Sequence, residues 1–586
     1  MARRKQVLYW CVLALLLAGW LYIAWNVPYT HDDWDWGLPE GLERWLSGAL
    51  NNRYAGTFFV LAMTRSQLVK TAVMGGCMFL ISLLLGRLAG RGQPDRAFSV
   101  TVVTAALLFT TPMDSWQQSL GWVSAFANFV VAAVFLLLVL LLWQRAFSAP
   151  LSRVQGTKLG AALFFLCLAA QLFAEHLTLI LLCAALVCAG WALWKKTARL
   201  PILCSLAGCL LGAVLMFHNP LYGELAASGQ AVDGIRNLVA EPGQGLFTAA
   251  LKRFFGEVLP WLFECFPGAA ALASAGCLWR LIRRRTPWFL TIPAGLWMAY
   301  YCAQNWLYLN QLHLWGEWTY PWPLLRGPGA AIQLALMAAV LLTAQEKSRP
   351  TWLLLLAAAV GLLAPFALLR DSGARCAFLS AVVLMVLGAS LLSDLPWSPL
   401  LQGAALVGLA AGLVFHLHAY AAISRSEAIR QDQMAQAVAQ GADQVVLPTE
   451  GWAYCYCWQR NPSQMRADYF RRFYGLPADM ELVFLPRGSS ELWPEVPEAM
   501  WAGAVNLPPT ESLWDFSLPT GTRPPICVIM GPREIFGPAR PMGRPLKGVT
   551  ALGTVDLLCS GGHAPVLVPV SPPGGTGLCH CRRQGV

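Results

Sequence analysis

The sequence predicts an all-α polytopic membrane protein of about thirteen transmembrane helices, with a small outer α/β region near its C-terminal end. Three observations carry this. The chain is 57% hydrophobic and only 12% charged, against about 25% charged residues in a soluble domain. Apolar runs long enough to cross a bilayer recur from the first residues to about residue 415. Basic residues fall in alternate short loops between those runs, as the positive-inside rule requires.

The first span is expected at 7–25 (VLYWCVLALLLAGWLYIAW), behind Ala2-Arg3-Arg4-Lys5. The basic start resembles a signal peptide, but the apolar run is too long and no small-residue cleavage site follows. A retained helix with a cytoplasmic N-terminus is expected instead. Further spans are expected at 67–86, 97–112, 121–143, 159–174, 177–194, 200–217, 257–279, 287–307, 327–344, 351–369, 376–393 and 398–415. The loops assigned to the cytoplasm carry Arg87, Arg91, Arg96, Arg145, Arg153, Lys158, Lys195, Lys196, Arg199, Arg280, Arg283, Arg284, Arg285, Lys347 and Arg349, whereas the turns at 113–120 and 175–176 carry neither Lys nor Arg. An odd number of spans places the C-terminal region on the outer side, with the first loop. The formal charge of +11 is scattered over these loops, with no basic stripe and interleaved aromatics, so no nucleic-acid partner is expected. Cysteines inside apolar runs, such as Cys77, Cys167 and Cys209, read as small hydrophobes.

In the first outer loop, 38–50 (LPEGLERWLSGAL) has apolar residues at helical spacing, with Glu40, Glu43 and Arg44 opposite. It reads as an interfacial helix, with Pro39 in its first turn. After residue 415 a polar helix is expected over 421–441, ended by Gly441. A strand at 444–448 and an amphipathic helix at 466–475 complete a small cap. The division is therefore 1–415 transmembrane, 416–485 outer α/β cap, and 486–586 a Pro/Gly-rich tail expected to be poorly ordered.

The chemistry-bearing residues gather in the outer loops. His31-Asp32-Asp33-Trp34-Asp35-Trp36 places three carboxylates within four positions, beside tryptophans suited to hold the loop at the bilayer surface. Like charges this close raise one another's pKa, which suits a general base; the same carboxylates suit a divalent cation, and solvated loop acids are the plainer alternative. Arg53, in 52–56 (NRYAG), suits a phosphate or a salt bridge to a neighbouring aspartate, and Gly56 allows close backbone approach. Glu175 and His176 lie at a very short turn between spans, where ionisable residues are costly. Trp122 and Asn128, with Trp116, Gln117 and Gln118, offer aromatic and amide groups to a sugar ring or to an aromatic belt. His218-Asn219-Pro220 and Trp315-Gly316-Glu317-Trp318 fall in later outer loops. Arg370 and Arg375 flank another and suit a phosphate, a pairing with Asp371 or snorkelling. Cys455-Tyr456-Cys457 and Cys579-His580-Cys581 lack zinc-knuckle spacing and read as disulfide cysteines. No phosphate-binding glycine loop, nucleophile elbow or HExxH motif is present.

An N-in first span followed by an outer loop with paired aspartates and an interfacial helix resembles the GT-C superfamily of integral-membrane glycosyltransferases. The likeness is closer to an uncharacterised bacterial family of polytopic proteins in that group, on HDDW at 31–34, NNRYAG at 51–56, WVSAFANF at 122–129, FAEHLT at 173–178, ARCAF at 374–378 and YFRRFYGL at 469–476. It covers roughly residues 1–480 and implies a GT-C-like fold in the bacterial inner membrane. It also implies a polyprenyl-phosphate-linked sugar as donor and an envelope glycan or lipid as acceptor. Carried over, Asp32 and Asp33 match the first-loop acidic pair, Arg53 the arginine after the interfacial helix and Glu175 the buried acid. The expected mechanism has Asp32 or Asp33 as base. Asp35, Arg53, Trp122, Asn128, Glu175, His176, Arg370 and Arg375 are then expected to bind substrate. No cofactor is expected beyond an optional divalent cation. A flippase of lipid-linked saccharides and a non-catalytic partner of a glycan assembly system are the alternatives.

Overall fold

A computed structural model describes residues 2–485 except 48–51, 91, 149, 221, 225–237, 240–243, 310–321, 371, 397, 449–455 and 458–460; beyond 485 it describes only two strands. Helices dominate. In chain order they are α1 (Ala2–Asn26), α2 (Asp33–Gly37), α3 (Pro39–Ser47), α4 (Tyr54–Arg65), α5 (Gln67–Gly90), α6 (Pro94–Phe109), α7 (Met113–Ser119), α8 (Val123–Ser148), α9 (Arg153–Gln171), α10 (Glu175–Lys195) and α11 (Arg199–Phe217). They continue as α12 (Leu246–Glu264), α13 (Pro267–Arg283), α14 (Trp288–Leu309), α15 (Trp322–Leu342), α16 (Arg349–Leu363), α17 (Phe378–Leu391) and α18 (Pro399–Gln440). Among the described residues ten helices are long and apolar enough to cross a membrane, or twelve if each of two bent pairs is one span. This is a multi-pass membrane protein. The bent pairs are α6–α7, at 102°, and α12–α13, at 83°. The expected span at 287–307 coincides with α14, part of which lies outside the residues whose side chains are described.

Local chemistry explains the ends. Pro28 follows α1, and carbonyls at and just beyond the end of that helix are met from α5: Gln67 Nε2 donates to Trp25 O at 2.5 Å, and the buried Lys70 ammonium donates to Val27 O. Ser152 and Gln155 close a reciprocal capping box on α9. Helices α13 and α17 approach closely through small residues: a side chain at Gly276 would strike Leu391, and one at Gly388 the backbone of Leu272.

The structure joins two segments that the sequence divides. The expected span at 398–415 and the polar helix at 421–441 form one continuous α18, because no Gly or Pro interrupts residues 413–440. At 1.5 Å per residue it is about 63 Å long, roughly twice the hydrocarbon thickness. Gly441, at φ 62°, ends it in the left-handed region. A parallel pair follows, β1 (Gln444–Pro448) with β2 (Glu481–Leu485), joined through α19 (Ala467–Tyr474). Strand β1 and helix α19 lie where the sequence places them.

The cap core contains Met434, Ala437, Val445, Leu447, Phe470, Leu476 and Met480, and also Trp34 from the first loop. Trp34 is therefore not an interfacial anchor. It is 1% exposed, edge-on to Phe470 at 5.1 Å, with its indole N–H donated to Tyr29 O at 3.1 Å. Glu40 of α3 pairs with Arg472 of α19, and a side chain at Gly37 would strike the Phe473 ring. The tail at 486–586 lies outside the described residues except for an antiparallel hairpin of β3 (Leu546–Thr550) and β4 (Gly553–Leu557), which belongs to a separate compact unit, 519–586.

Candidate functional site

The acidic loop is held by a turn at Thr30-His31, with His31 at φ 53°, leading into the short α2. The turn gives the neighbouring aspartates opposite surroundings. Asp33 is fully buried: Oδ2 accepts from Thr30 N at 2.9 Å, and Oδ1 accepts from Ser124 N at 2.9 Å and Ser124 Oγ at 2.5 Å. Ser124 lies in the first turn of α8, so Asp33 satisfies helix N-terminal donors from another segment. Burial, followed by the charge of Asp32, pushes its carboxyl up to about 7 despite those bonds.

Asp32 has a quarter of its side chain exposed. Its Oδ1 accepts from Trp122 Nε1 at 2.8 Å and lies 3.7 Å from His31 Nδ1. Burial opposes its ionisation, but neighbouring His31, the charge of Arg466 and the Trp122 bond together hold the carboxyl below the usual range. The Trp122 ring lies edge-on to His31 at 5.4 Å, and the Arg375 guanidinium stands over it at 5.2 Å from the centroid. The first loop, the start of α8 and the turn at Ala374–Ala377 thus gather around Trp122, and the charge of Arg466 in the cap reaches Asp32. Gln118 of α7 fixes the third by accepting from Ala374 N at 3.0 Å.

Arg53 and Glu175 form a second centre. Arg53 Nε lies 3.0 and 3.1 Å from the two Glu175 oxygens, Nη2 is 2.6 Å from Oε2, and Tyr222 Oη donates to Oε1 at 3.0 Å. The partner of Arg53 is therefore Glu175 rather than an aspartate. The pair sits on a frame of local bonds: Ala55 N reaches Leu172 O at 3.0 Å, Asn219 donates to Asn52 at 3.2 Å, and Asn52 donates to Leu215 O at 2.8 Å. Asn128 links the two centres. It lies one turn beyond Ser124 in a π-helical stretch, Phe126–Val131, donates to Ser124 O at 2.8 Å, and fills the space that a Cβ at Gly56 would need.

The remaining expected residues make other contacts. Asp35 is ion-paired with Arg44 of α3, whose guanidinium lies 5.2 Å from the Trp36 ring. His176 is 3% exposed and packed between Phe129 and Phe366. Arg370 is exposed, and its carbonyl accepts from Arg253 at 2.8 Å. Trp116 is buried on His416 at 4.2 Å and donates to Tyr420 at 2.9 Å, a packing role. Residues 315–318, Asp371, Cys455, Cys579 and Cys581 lie outside the described residues. For a divalent cation the fit is poor: both oxygens of Asp33 already accept from protein donors, and among the described residues no three His, Cys, Asp or Glu converge.

Two groups escaped the sequence reading. Arg466 belongs to the cap, and nothing local ties it to the first loop. Glu264, 1% exposed, is bidentate to Arg326 at 2.7 to 2.8 Å, next to the break between α12 and α13. An acid inside an apolar run was the available signal for it. No protein-family model, curated protein or solved structure matches this chain.

Proposed function

We propose that the protein is a membrane glycosyltransferase of GT-C type, moving a sugar from a polyprenyl-phosphate carrier to an envelope glycan or lipid acceptor on the outer face of the bacterial inner membrane. The observation that carries this reading is Asp32: an accessible carboxylate fixed by Trp122, with Arg375 over the indole ring and the charge of Arg466 acting on it. An aromatic face with carboxylate and guanidinium groups suits a sugar phosphate. The acceptor hydroxyl loses its proton at the centre built around Asp32 as its oxygen attacks the anomeric carbon. The carbon inverts in a single displacement, and the polyprenyl phosphate leaves with the bonding electrons towards the arginines. Asp33, enclosed and bonded through both oxygens, positions the loop and does not touch substrate. Arg53 is engaged with Glu175, and in this reading Arg375, over the Trp122 ring, and the charge of Arg466 face the phosphate.

The test is reconstitution in nanodiscs with a radiolabelled polyprenyl-phosphate hexose and delipidated envelope glycan. A glycosidic product that Asp32→Asn abolishes, at unchanged melting temperature, supports the reading. Equal product from both proteins removes Asp32 from it.

One observation favours a flippase instead. The breaks of the two bent helix pairs meet, since a Cβ at Gly268 would lie 2.8 Å from Leu107 O and Thr110 Oγ1. Discontinuous helices line substrate paths in transporters. Movement of the lipid-linked sugar across proteoliposomes without a new glycosidic bond would establish that alternative.

A further inference from the structure

The ring of His31 is the least explained group at this centre. Four described non-glycine residues have positive φ: His31, Lys196, Ala198 and Arg285. The last three lie at tight turns between helices, where chain reversal accounts for them. His31 does not reverse the chain between long helices. Its left-handed backbone, costly for a residue with a side chain, aims the imidazole at Asp32 and Trp122. The Nδ1 atom faces inward, 3.7 Å from Asp32 Oδ1, buried and with no hydrogen-bond partner. The side chain is nevertheless 26% exposed, so the accessible part is the rest of the ring.

This is the arrangement of a base oriented by a carboxylate, with the loose spacing common in unliganded sites. We propose that His31, through Nε2, receives the proton of the acceptor hydroxyl, and that Asp32 acts on His31 by holding Nδ1–H inward and stabilising the imidazolium. The inference rests on the transferase reading. The acceptor O–H bond breaks as the new C–O bond to the anomeric carbon forms. The proton goes to Nε2, and the anomeric C–O bond breaks with its electron pair leaving on the polyprenyl phosphate. No further reactant is needed. The charged groups around this pair are Asp33 on its own segment, Arg375 over the Trp122 ring, and Arg466 of the cap, whose charge acts on Asp32.

The backbone supplies the test. Glycine adopts φ 53° without strain, so His31→Gly keeps the turn while removing the ring. In nanodiscs with labelled polyprenyl-phosphate hexose, His31→Gly should lose roughly 100-fold or more of the transfer rate, the scale of general-base catalysis. Added imidazole should restore part of it in proportion to its neutral fraction, and His31→Gln, which blocks the space, should not be rescued. Transfer by His31→Gly within about twofold of the unaltered protein overturns the inference. So does lost transfer that imidazole leaves unchanged in a variant of normal melting temperature, which would make the ring structural. Absence of product from the unaltered protein is a separate result: it removes the transferase reading itself.

Discussion

The indole N–H of Trp122 donates to Asp32 Oδ1 across 2.8 Å, joining residues 90 positions apart. A bond to an ionised acceptor contributes about 1.5–3 kcal/mol. Trp122→Phe keeps an aromatic face for Arg375 and His31 but removes that donor. If the orientation of Asp32 is needed in the transition state, kcat should fall roughly 10- to 150-fold, at about 1.4 kcal/mol per decade, with a smaller change in KM. The measurement is steady-state transfer with melting temperature followed in parallel. A loss confined to KM would assign Trp122 to substrate binding alone.

Asp33 predicts a pH effect of definite sign. Its folded pKa is raised to about 7, so its stabilising contribution is complete below its ordinary value and is lost as pH rises through about 7. Asp32, held low, is ionised in both folded and unfolded protein above about pH 5 and adds no slope there. Removing the charge of Asp32 removes the second-largest cause of the shift in Asp33. In a His31→Gln background, which excludes imidazole titration, Asp32→Asn should gain stability relative to its parent as pH rises from about 5 to 8. Tyr29 and Lys70 also interact with Asp33 but are common to both proteins. A melting-temperature difference that stays constant across that range would refute the assignment.

The Ser124 hydroxyl bond to Asp33 should be structural. Ser124→Ala leaves Asp33 with two backbone donors and removes the third. The expected cost is about 1–3 kcal/mol of stability, with the transfer rate little changed at temperatures well below melting. Asp33→Asn should cost more, because an amide NH2 cannot accept from donors that converge on both carboxylate oxygens. Chemical denaturation in a fixed detergent separates the two.

Most of the apolar helices, the short helix α3, β1 and α19 were legible because each is written locally, in hydrophobic period and capping residues. The difference between Asp32 and Asp33 was not: identical neighbours receive opposite surroundings from Trp122 and Ser124, and no local pattern in the first loop encodes those contacts. Mutual repulsion does raise one carboxyl, but the raised one is the enclosed Asp33, not the accessible Asp32. The composition argument that made Trp34 an interfacial tryptophan failed for the same reason, since its partner Phe470 lies in the cap. The continuity of α18 could have been read from the absence of any breaker between 413 and 440.

The Arg53–Glu175 pair should show strong coupling. Each side chain is about a quarter exposed, so breaking the pair strands a poorly solvated charge. Glu175→Gln and Arg53→Gln should each cost about 2 kcal/mol, and the double variant clearly less than their sum. Tyr222, 3.0 Å from Glu175, will absorb part of the loss in the Arg53 variant. Additive costs in the double-mutant cycle would mean that the two residues do not act as a pair in solution.

The cap should depend on Trp34 far more than on its visible ion pair. Trp34 is fully enclosed by residues of the cap core, and truncating a buried tryptophan costs about 3–5 kcal/mol. Glu40 and Arg472 are solvent-facing, and screening leaves such a pair little to contribute. Trp34→Ala should therefore expose the 444–485 region to protease and remove the charge of Arg466 that acts on Asp32, lowering transfer even where the bundle stays folded. Arg472→Gln should leave both proteolysis and transfer near their original values. Equal protease sensitivity in the two variants would show that the cap is held by charge rather than by the tryptophan, and would detach Arg466 from the account of the site.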